Sequence, residues 1–297
     1  MGHETSDSKS ARPVETVVVD GLALAKELRS ELAEEIAKLS ADGHRAPCLA
    51  VVLVGDDPAS RSYVKGKQRA CKRIGMDSVE HMLPESSSEE ELLALLDRLN
   101  SDDGIDGILV QLPLPAHISA ARVAEAVDPA KDADALHPTT SGKLLAGTAE
   151  LVSCTPLGVI AVLDHCKVPL EGANAVVIGR SNIVGKPISL LLQQRNATVT
   201  MCHSRTRNLP ELCRQADVLV AATGQPRMVK GDWIKPGAAV MDVGVSEVDG
   251  ELIGDVDLEA ARGIAAFITP SRRGIGPMTI SMLLRNTLLA YRMRKAI

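Results

Sequence analysis

The run of short apolar segments that fills the second half of the chain leaves it few folds to choose from. AVVIG at 175–179, TVTMCH at 198–203, DVLVAATG at 217–224 and AAVMDVG at 238–244 each end in small or polar residues. Strands buried on both faces read as continuous apolar segments of this kind, and four in succession predict a doubly wound parallel sheet. The aromatic content agrees. With one Trp, one Phe and two Tyr in 297 residues, the interior has to be built from Val, Ile, Leu and Ala, so the fold class is α/β.

The first half repeats the grammar less regularly. LAVVLVG at 49–55 predicts a buried strand, 59–74 a helix ending at Gly75, and Glu89 to Glu91 suit the first turn of a helix running to about residue 99. ILVQ ends a strand over 105–111 that Pro113 and Pro115 halt. From Pro277 to Arg294 the apolar positions Ile280, Leu283, Leu284, Leu288 and Tyr291 have helical spacing. We therefore place an N-terminal α/β domain at 14–153, a nucleotide-binding Rossmann domain at 154–276 and a terminal helix at 277–297, with 1–13 a flexible tail.

A net charge of -5 gives no global invitation to nucleic acid or an anionic membrane, which favours a small-molecule ligand. No apolar run reaches the roughly 18 residues that span a bilayer, and no signal core opens the chain. The six cysteines lack C-x-x-C spacing and read as reduced thiols in a cytoplasmic protein. The seven histidines form no metal-ligand pattern, so no metal is expected.

AVVIG runs into GRSNIVGKPIS, a turn bearing Gly179 and Gly185 that joins a strand to a helix. Free backbone N–H groups and the helix dipole at such a junction can bind a pyrophosphate, and Pro187 fits near the helix start. The spacing is not G-x-G-x-x-G, and a strand-to-helix turn that binds nothing is the alternative. The next strand ends in His203, Ser204, Arg205 and Thr206, without the carboxylate that takes a ribose 2'-hydroxyl. Arg180 and Arg205, with Ser204, suit a 2'-phosphate instead, which selects NADP over NAD unless these are simply solvated loop residues.

Tyr63 and Lys67 lie four apart in the first-half helix, so they share a face and their polar ends can meet. A lysine in a partly apolar cleft can lose its proton near neutrality and serve in proton transfer. The alternative is a wet basic face made with Lys65, Arg69, Lys72 and Arg73. A Y-x-x-x-K pair also suggests the short-chain dehydrogenases, but there it follows the glycine turn, and here it precedes it by more than 100 positions. Gln111 ends its strand at the edge where open α/β sheets bind ligands, either to hold a lysine amine or as a strand-end cap. Asp134 offers a carboxylate for an amino-pyrimidine edge, or forms an Asx turn.

The segments GDDPASRSYVKGKQRAC, DGILVQLPLP, KDADALHP, CTPLGV, VVIGRSNIVGKP, GDWIKPGAAVMDVGV and GIGPMT resemble, in order, the signatures of the methylenetetrahydrofolate dehydrogenase/cyclohydrolase family, over 14–291. The resemblance implies oxidation of 5,10-methylenetetrahydrofolate with NADP, then hydrolysis of the 5,10-methenyl compound to 10-formyltetrahydrofolate, in one-carbon metabolism. It implies Lys67 as the principal catalytic residue, Tyr63 stacking near the substrate, Gln111 tuning Lys67 and Asp134 anchoring the pterin, with Leu112, Pro113, Gly274 and Pro277 against the folate. It also implies Gly179, Arg180, Ser181, Ile183, Val184, Gly185, His203, Ser204, Arg205, Thr223, Gly224 and Ile275 around NADP, a terminal helix packed on the first domain, and a homodimer formed through the nucleotide-binding domains.

Two departures from the family pattern stand out. TPSRRGIGPMT carries Arg272 and Arg273 where the family has Pro and Gly, and Ala135 follows Asp134 where a Gly is usual. The cations are expected to reach the substrate's glutamate tail or the cofactor phosphates. The alternatives to the bifunctional enzyme are a dehydrogenase-only or specialised paralogue and a non-catalytic folate and NADP binder.

Overall fold

In this computed structural model, which describes residues 14–297, the chain builds two parallel sheets joined by a helical layer. The reading of 1–13 as a flexible tail lies outside the described residues. In chain order, β1 (Val17–Val18), α1 (Gly21–Ala41), β2 (Cys48–Val54), α2 (Pro58–Arg73), β3 (Asp77–Leu83), α3 (Glu89–Ser101), β4 (Gly107–Val110), α4 (Ala120–Ala126) and α5 (Pro138–Ala146) come first. Then follow α6 (Cys154–His165), β5 (Asn174–Ile178), α7 (Gly185–Gln194), β6 (Thr198–Cys202), α8 (Leu209–Cys213), β7 (Val218–Ala221) and β8 (Ala239–Asp242). The chain ends with β9 (Val245–Val248), β10 (Glu251–Gly254), α9 (Leu258–Ala261), β11 (Phe267–Ile268) and α10 (Ile275–Lys295).

The smaller sheet has the order β3-β2-β4, all parallel. Its central strand is buried along its whole length, which is why CLAVVLV carries no polar residue. Strand β3 is missing from the sequence reading. It pairs on one side only and is mostly exposed, so DSVEHML lacks an apolar run. Helix α3 starts as its acidic first turn predicts, with Ser88 and Glu91 in a reciprocal capping box. Strand β4 is shorter than 105–111, and just before it Asp106 turns its carboxylate to Arg45 and accepts the N–H of Cys48.

The larger sheet has the order β1-β11-β8-β7-β5-β6, all parallel, and contains the four strands predicted from the apolar runs. It corrects one boundary: residues 17–18, counted with the first domain, pair with Phe267–Ile268 in this second sheet. Two-residue strands leave no pattern to read, and the partner lies far away in sequence. The β9–β10 hairpin closes on Asp249 and Gly250, both at positive φ, as an Asp-Gly turn requires.

Helix α10 starts at Ile275, two residues earlier than predicted, and packs against α6, α1, α2 and β4. Its buried face includes Leu283, Leu284, Leu288 and Tyr291. It thus returns to the first sheet's layer, as the resemblance implies. Among the described residues, no helix is long and apolar enough to cross a membrane. All six cysteines are unbridged.

Candidate functional site

Helix α2 begins where Asp57 accepts the N–H of Ser60 and Pro58 occupies a position whose missing N–H is not needed. Tyr63 and Lys67 follow one turn apart but part company. Tyr63 is 54% exposed, whereas Lys67 is half-buried and donates from Nζ to Oε1 of Gln111 at 2.9 Å. The expectation that the two polar ends meet is therefore corrected: no hydrogen bond joins them among the described residues, because Lys67 is drawn to the carboxyl end of β4. The wet face is also present. Lys65, Arg69, Lys72 and Arg73 are exposed, and Arg61 pairs with Asp56.

Gln111 is fixed from both sides. Its backbone N–H donates to Val52 at 2.8 Å and its Nε2 donates to the Leu112 carbonyl at 2.6 Å. A protonated lysine offers only donors, so the amide oxygen has to face it. Asp134 reaches the same place from a loop laid against β4, where Ile108 donates to the Lys131 carbonyl and Ala133 donates to the Ile108 carbonyl. The loop is pinned by Asn286 of α10, whose Nδ2 donates to the carbonyls of Ala133 (2.9 Å) and Val152 (2.8 Å).

Lys67, Gln111, Leu112 and Asp134 line a cavity of about 160 Å³ together with Ser153, Cys154, Thr155, Thr279 and, from the other sheet, Ile183 and Val184. Burial holds Lys67 below the ordinary lysine pKa, against the opposing charge of Asp134. Burial likewise raises the Asp134 carboxyl, against the pull of Lys67 and a hydrogen bond with Cys154. Burial thus disfavours the charged form of each group, while each steadies the charge of the other.

The second-sheet side of the cavity is the turn after β5. A Cβ on Gly179 would lie 2.3 Å from the Ala222 carbonyl oxygen, and one on Gly185 2.1 Å from that of Gly179, so close backbone approach requires both glycines. The expected free N–H groups are displaced. Val184 and Gly185 donate to Oγ of Ser181, and Lys186 to its carbonyl, so the start of α7 is already capped. The N–H groups of residues 180–183 have no intrachain acceptor among the described residues and are the ones open to an anion.

Arg180, Ser204 and Arg205 are exposed at the carboxyl ends of β5 and β6, and neither arginine is ion-paired among the described residues. No carboxylate shares this tip, where His203 and Thr206 close a tight turn. Thr223 and Gly224 lie past β7, with both N–H groups accepted by the buried Asp255 carboxylate. Pro113 lines a neighbouring cleft. Gly274 is packed so closely that a Cβ would meet the Pro270 carbonyl oxygen at 2.1 Å. The Pro277 carbonyl accepts from Arg29, and Ile275 is buried at the start of α10.

The unusual loop sits apart from the cavity lining. Arg273 pairs with Asp20 at the N-cap of α1, where its carbonyl also accepts from Leu22. Arg272 is exposed. Arg273 and Ala135 share one property: both have positive φ, 64° and 55°, a backbone that glycine adopts without strain. Ser153, Cys154, Thr155 and Thr279 are lining residues the sequence reading does not name, although CTPLGV and GIGPMT are among its motifs, because a cavity assembled from six separate segments has no local pattern.

Two family models match the chain. The tetrahydrofolate dehydrogenase/cyclohydrolase catalytic domain covers residues 19–134, and the NAD(P)-binding domain of the same family covers 153–295. The bifunctional protein FolD of Halothermothrix orenii is 53% identical over 275 residues, 92% of this chain and 97% of that protein. The FolD methylenetetrahydrofolate dehydrogenase/cyclohydrolase structure from Campylobacter jejuni superposes with a TM-score of 0.91 at 43% identity, over 94% of this chain and 99% of that one. The Trypanosoma brucei methylenetetrahydrofolate dehydrogenase-cyclohydrolase, solved with NADP and an inhibitor, gives 0.91 at 39% identity, over 95% and 99%. Both family models in sequence order, and relatives above half identity along nearly the whole length, place this chain in the tetrahydrofolate dehydrogenase/cyclohydrolase family.

Proposed function

We propose that this chain oxidises 5,10-methylenetetrahydrofolate to the 5,10-methenyl compound with NADP and hydrolyses that product to 10-formyltetrahydrofolate. The observation that carries this reading is the half-buried Lys67, bonded to Gln111 in a cavity that also holds Asp134 and residues of the nucleotide turn.

The chain's own groups suit both steps. Asp134 accepts the amino-pyrimidine edge of the pterin through two parallel hydrogen bonds, and Tyr63, one turn before Lys67, offers a ring to stack on it. Gln111 aims the amine of Lys67 at the one-carbon bridge. Because burial favours the neutral amine, Lys67 accepts a proton from the water that attacks the methenyl cation. One cleft serves both reactions because the product of the first step stays against the residues of the second.

The nucleotide side fits NADP. The exposed guanidinium groups of Arg180 and Arg205 and the hydroxyl of Ser204 match a 2'-phosphate, and the N–H groups of 180–183, without an acceptor among the described residues, match the pyrophosphate. His203, Thr223, Gly224 and Ile275 are assigned to the same ligand, and Leu112, Pro113, Gly274 and Pro277 to the folate. When bound, NADP supplies the hydride acceptor. We divide the chain at 153/154, with the helix from 277 completing the first domain.

The same reading includes a cytoplasmic homodimer. The outer edge of β6, unpaired among the described residues, supports the association: it carries the exposed Met201, which lines one surface with Leu145, 72% exposed. A two-wavelength stopped-flow assay on the wild type and on Lys67→Met tests the activity. NADPH formation followed by methenyl decay faster than the spontaneous rate, with the fast decay lost in the variant, is the expected result. NADPH without faster decay points to a dehydrogenase-only paralogue, and no NADPH removes the enzyme reading.

A further inference from the structure

Ser153 stands at the N-cap of α6, where a serine hydroxyl ordinarily accepts the N–H of the second or third helical residue. It makes no such bond. The third residue is Pro156, which has no N–H to give, and the hydroxyl instead donates to the Ile183 carbonyl at 2.8 Å. Ile183 belongs to the nucleotide turn, so this bond crosses from one side of the cavity to the other.

Both ends of the bond are held. On the folate side, Asn286 fixes the carbonyl of Val152 and Cys154 Sγ donates to Ala133 at 3.3 Å, which pins the segment around Ser153 to the loop of Asp134. On the nucleotide side, the peptide joining Ile183 and Val184 is gripped at both poles. Its oxygen accepts from Ser153, and its N–H donates to Ser181 Oγ at 3.1 Å. One hydroxyl on an anchored base thus orients the turn that faces the nucleotide.

We propose that Ser153 is a positioning residue that ties the nucleotide turn to the one-carbon pocket and supports hydride transfer but not hydrolysis. This rests on the function proposed above. Hydride transfer needs both ligands held within about 3–3.5 Å of each other, and small misplacements there are costly. Hydrolysis of the methenyl compound needs no nucleotide, so it is less sensitive to where the turn sits.

The test compares Ser153→Ala and Ser153→Thr with the wild type in three measurements: dehydrogenase kcat/KM for NADP, methenyl hydrolysis without nucleotide, and the NADP dissociation constant by calorimetry. Losing one neutral hydrogen bond predicts about a fivefold fall in the first and a comparable weakening of NADP binding in Ser153→Ala. Hydrolysis stays within about twofold, and Ser153→Thr, which keeps the hydroxyl, recovers most of the loss. Equal losses in both activities overturn the proposal, and so do unchanged dehydrogenase and NADP binding in a Ser153→Ala protein that melts like the wild type. If the wild type shows neither activity, the functional reading fails, and unchanged or weakened NADP binding in Ser153→Ala alone decides the role of Ser153.

Discussion

Nζ of Lys67 lies 2.9 Å from Oε1 of Gln111, which joins a helix flanking the smaller sheet to the carboxyl end of its edge strand. The amide's other end is committed to the Leu112 carbonyl, so Gln111 presents an acceptor and no charge to the amine. The lysine is held in place while burial keeps its proton loosely bound.

Changing the charge at position 111 should therefore retune Lys67 without moving it. Gln111→Glu puts a carboxylate beside the amine and should raise the midpoint of the pH–rate profile for methenyl hydrolysis by about one unit or more. Asp134→Asn removes a charge that now holds the Lys67 pKa up, so a ¹³Cε titration of Lys67 should move the other way. Shifts in the same direction would refute this electrostatic account.

Reverting either departure from the family pattern to glycine should change stability little. Ala135 is buried at φ 55°. Ala135→Gly relieves about 1–2 kcal/mol of left-handed strain. It gives back about 0.5–1 in chain entropy and about 0.8 in methyl burial, so urea unfolding should change by less than about 1 kcal/mol. Ala135→Val, β-branched in the same conformation, should destabilise by about 2 kcal/mol or more. Arg273→Gly relieves similar strain on an exposed residue and forfeits the pair with Asp20, and should leave the midpoint nearly unchanged.

Two carboxyls should titrate far from the usual range. Burial, opposed by backbone N–H donors, pushes Asp132 and Asp242 up to about 7. Their folded pKa values exceed the unfolded ones, so the folded state binds the extra protons. Their contribution to stability is complete below about pH 4 and is lost as pH rises to about 7. Carboxyl ¹³C shifts should show both midpoints near 7. Asp132→Asn, whose Oδ1 can still accept from His137, should gain stability relative to wild type at pH 8 but not at pH 4. Midpoints near 4 would remove the basis for this prediction.

Cofactor choice should depend on the two tip arginines. Arg180→Ala and Arg205→Ala should each raise KM for NADP by about 10- to 100-fold, the worth of a charge-assisted hydrogen bond, and leave KM for NAD within about twofold. Equal losses for both nucleotides would mean that these arginines shape the turn and do not read the 2'-phosphate.

Much of the fold was legible because burial on both faces writes itself into consecutive residues. AVVIG, DVLVAATG and AAVMDVG announced strands without reference to anything distant. Strand β3 stayed hidden because its exposed residues are polar, and β1 because two residues carry no period. The site was legible by residue type but not by contact. Helical spacing put Tyr63 and Lys67 on one face, yet only the fold turned Lys67 inward to Gln111 and left Tyr63 in solvent.

The sequence by itself determined the α/β class, the glycine-bearing strand-to-helix turn, the absence of an acid at the tip of the next strand and the family. These follow from local physics: which residues tolerate burial, which cap helices and which carry charge. Tertiary structure decided what meets across long separations. It brought Asn286 under the loop of Asp134, Asp20 to Arg273 and Ser153 to Ile183. Such contacts depend on how two sheets and a terminal helix pack, and no local stretch of sequence encodes that distance.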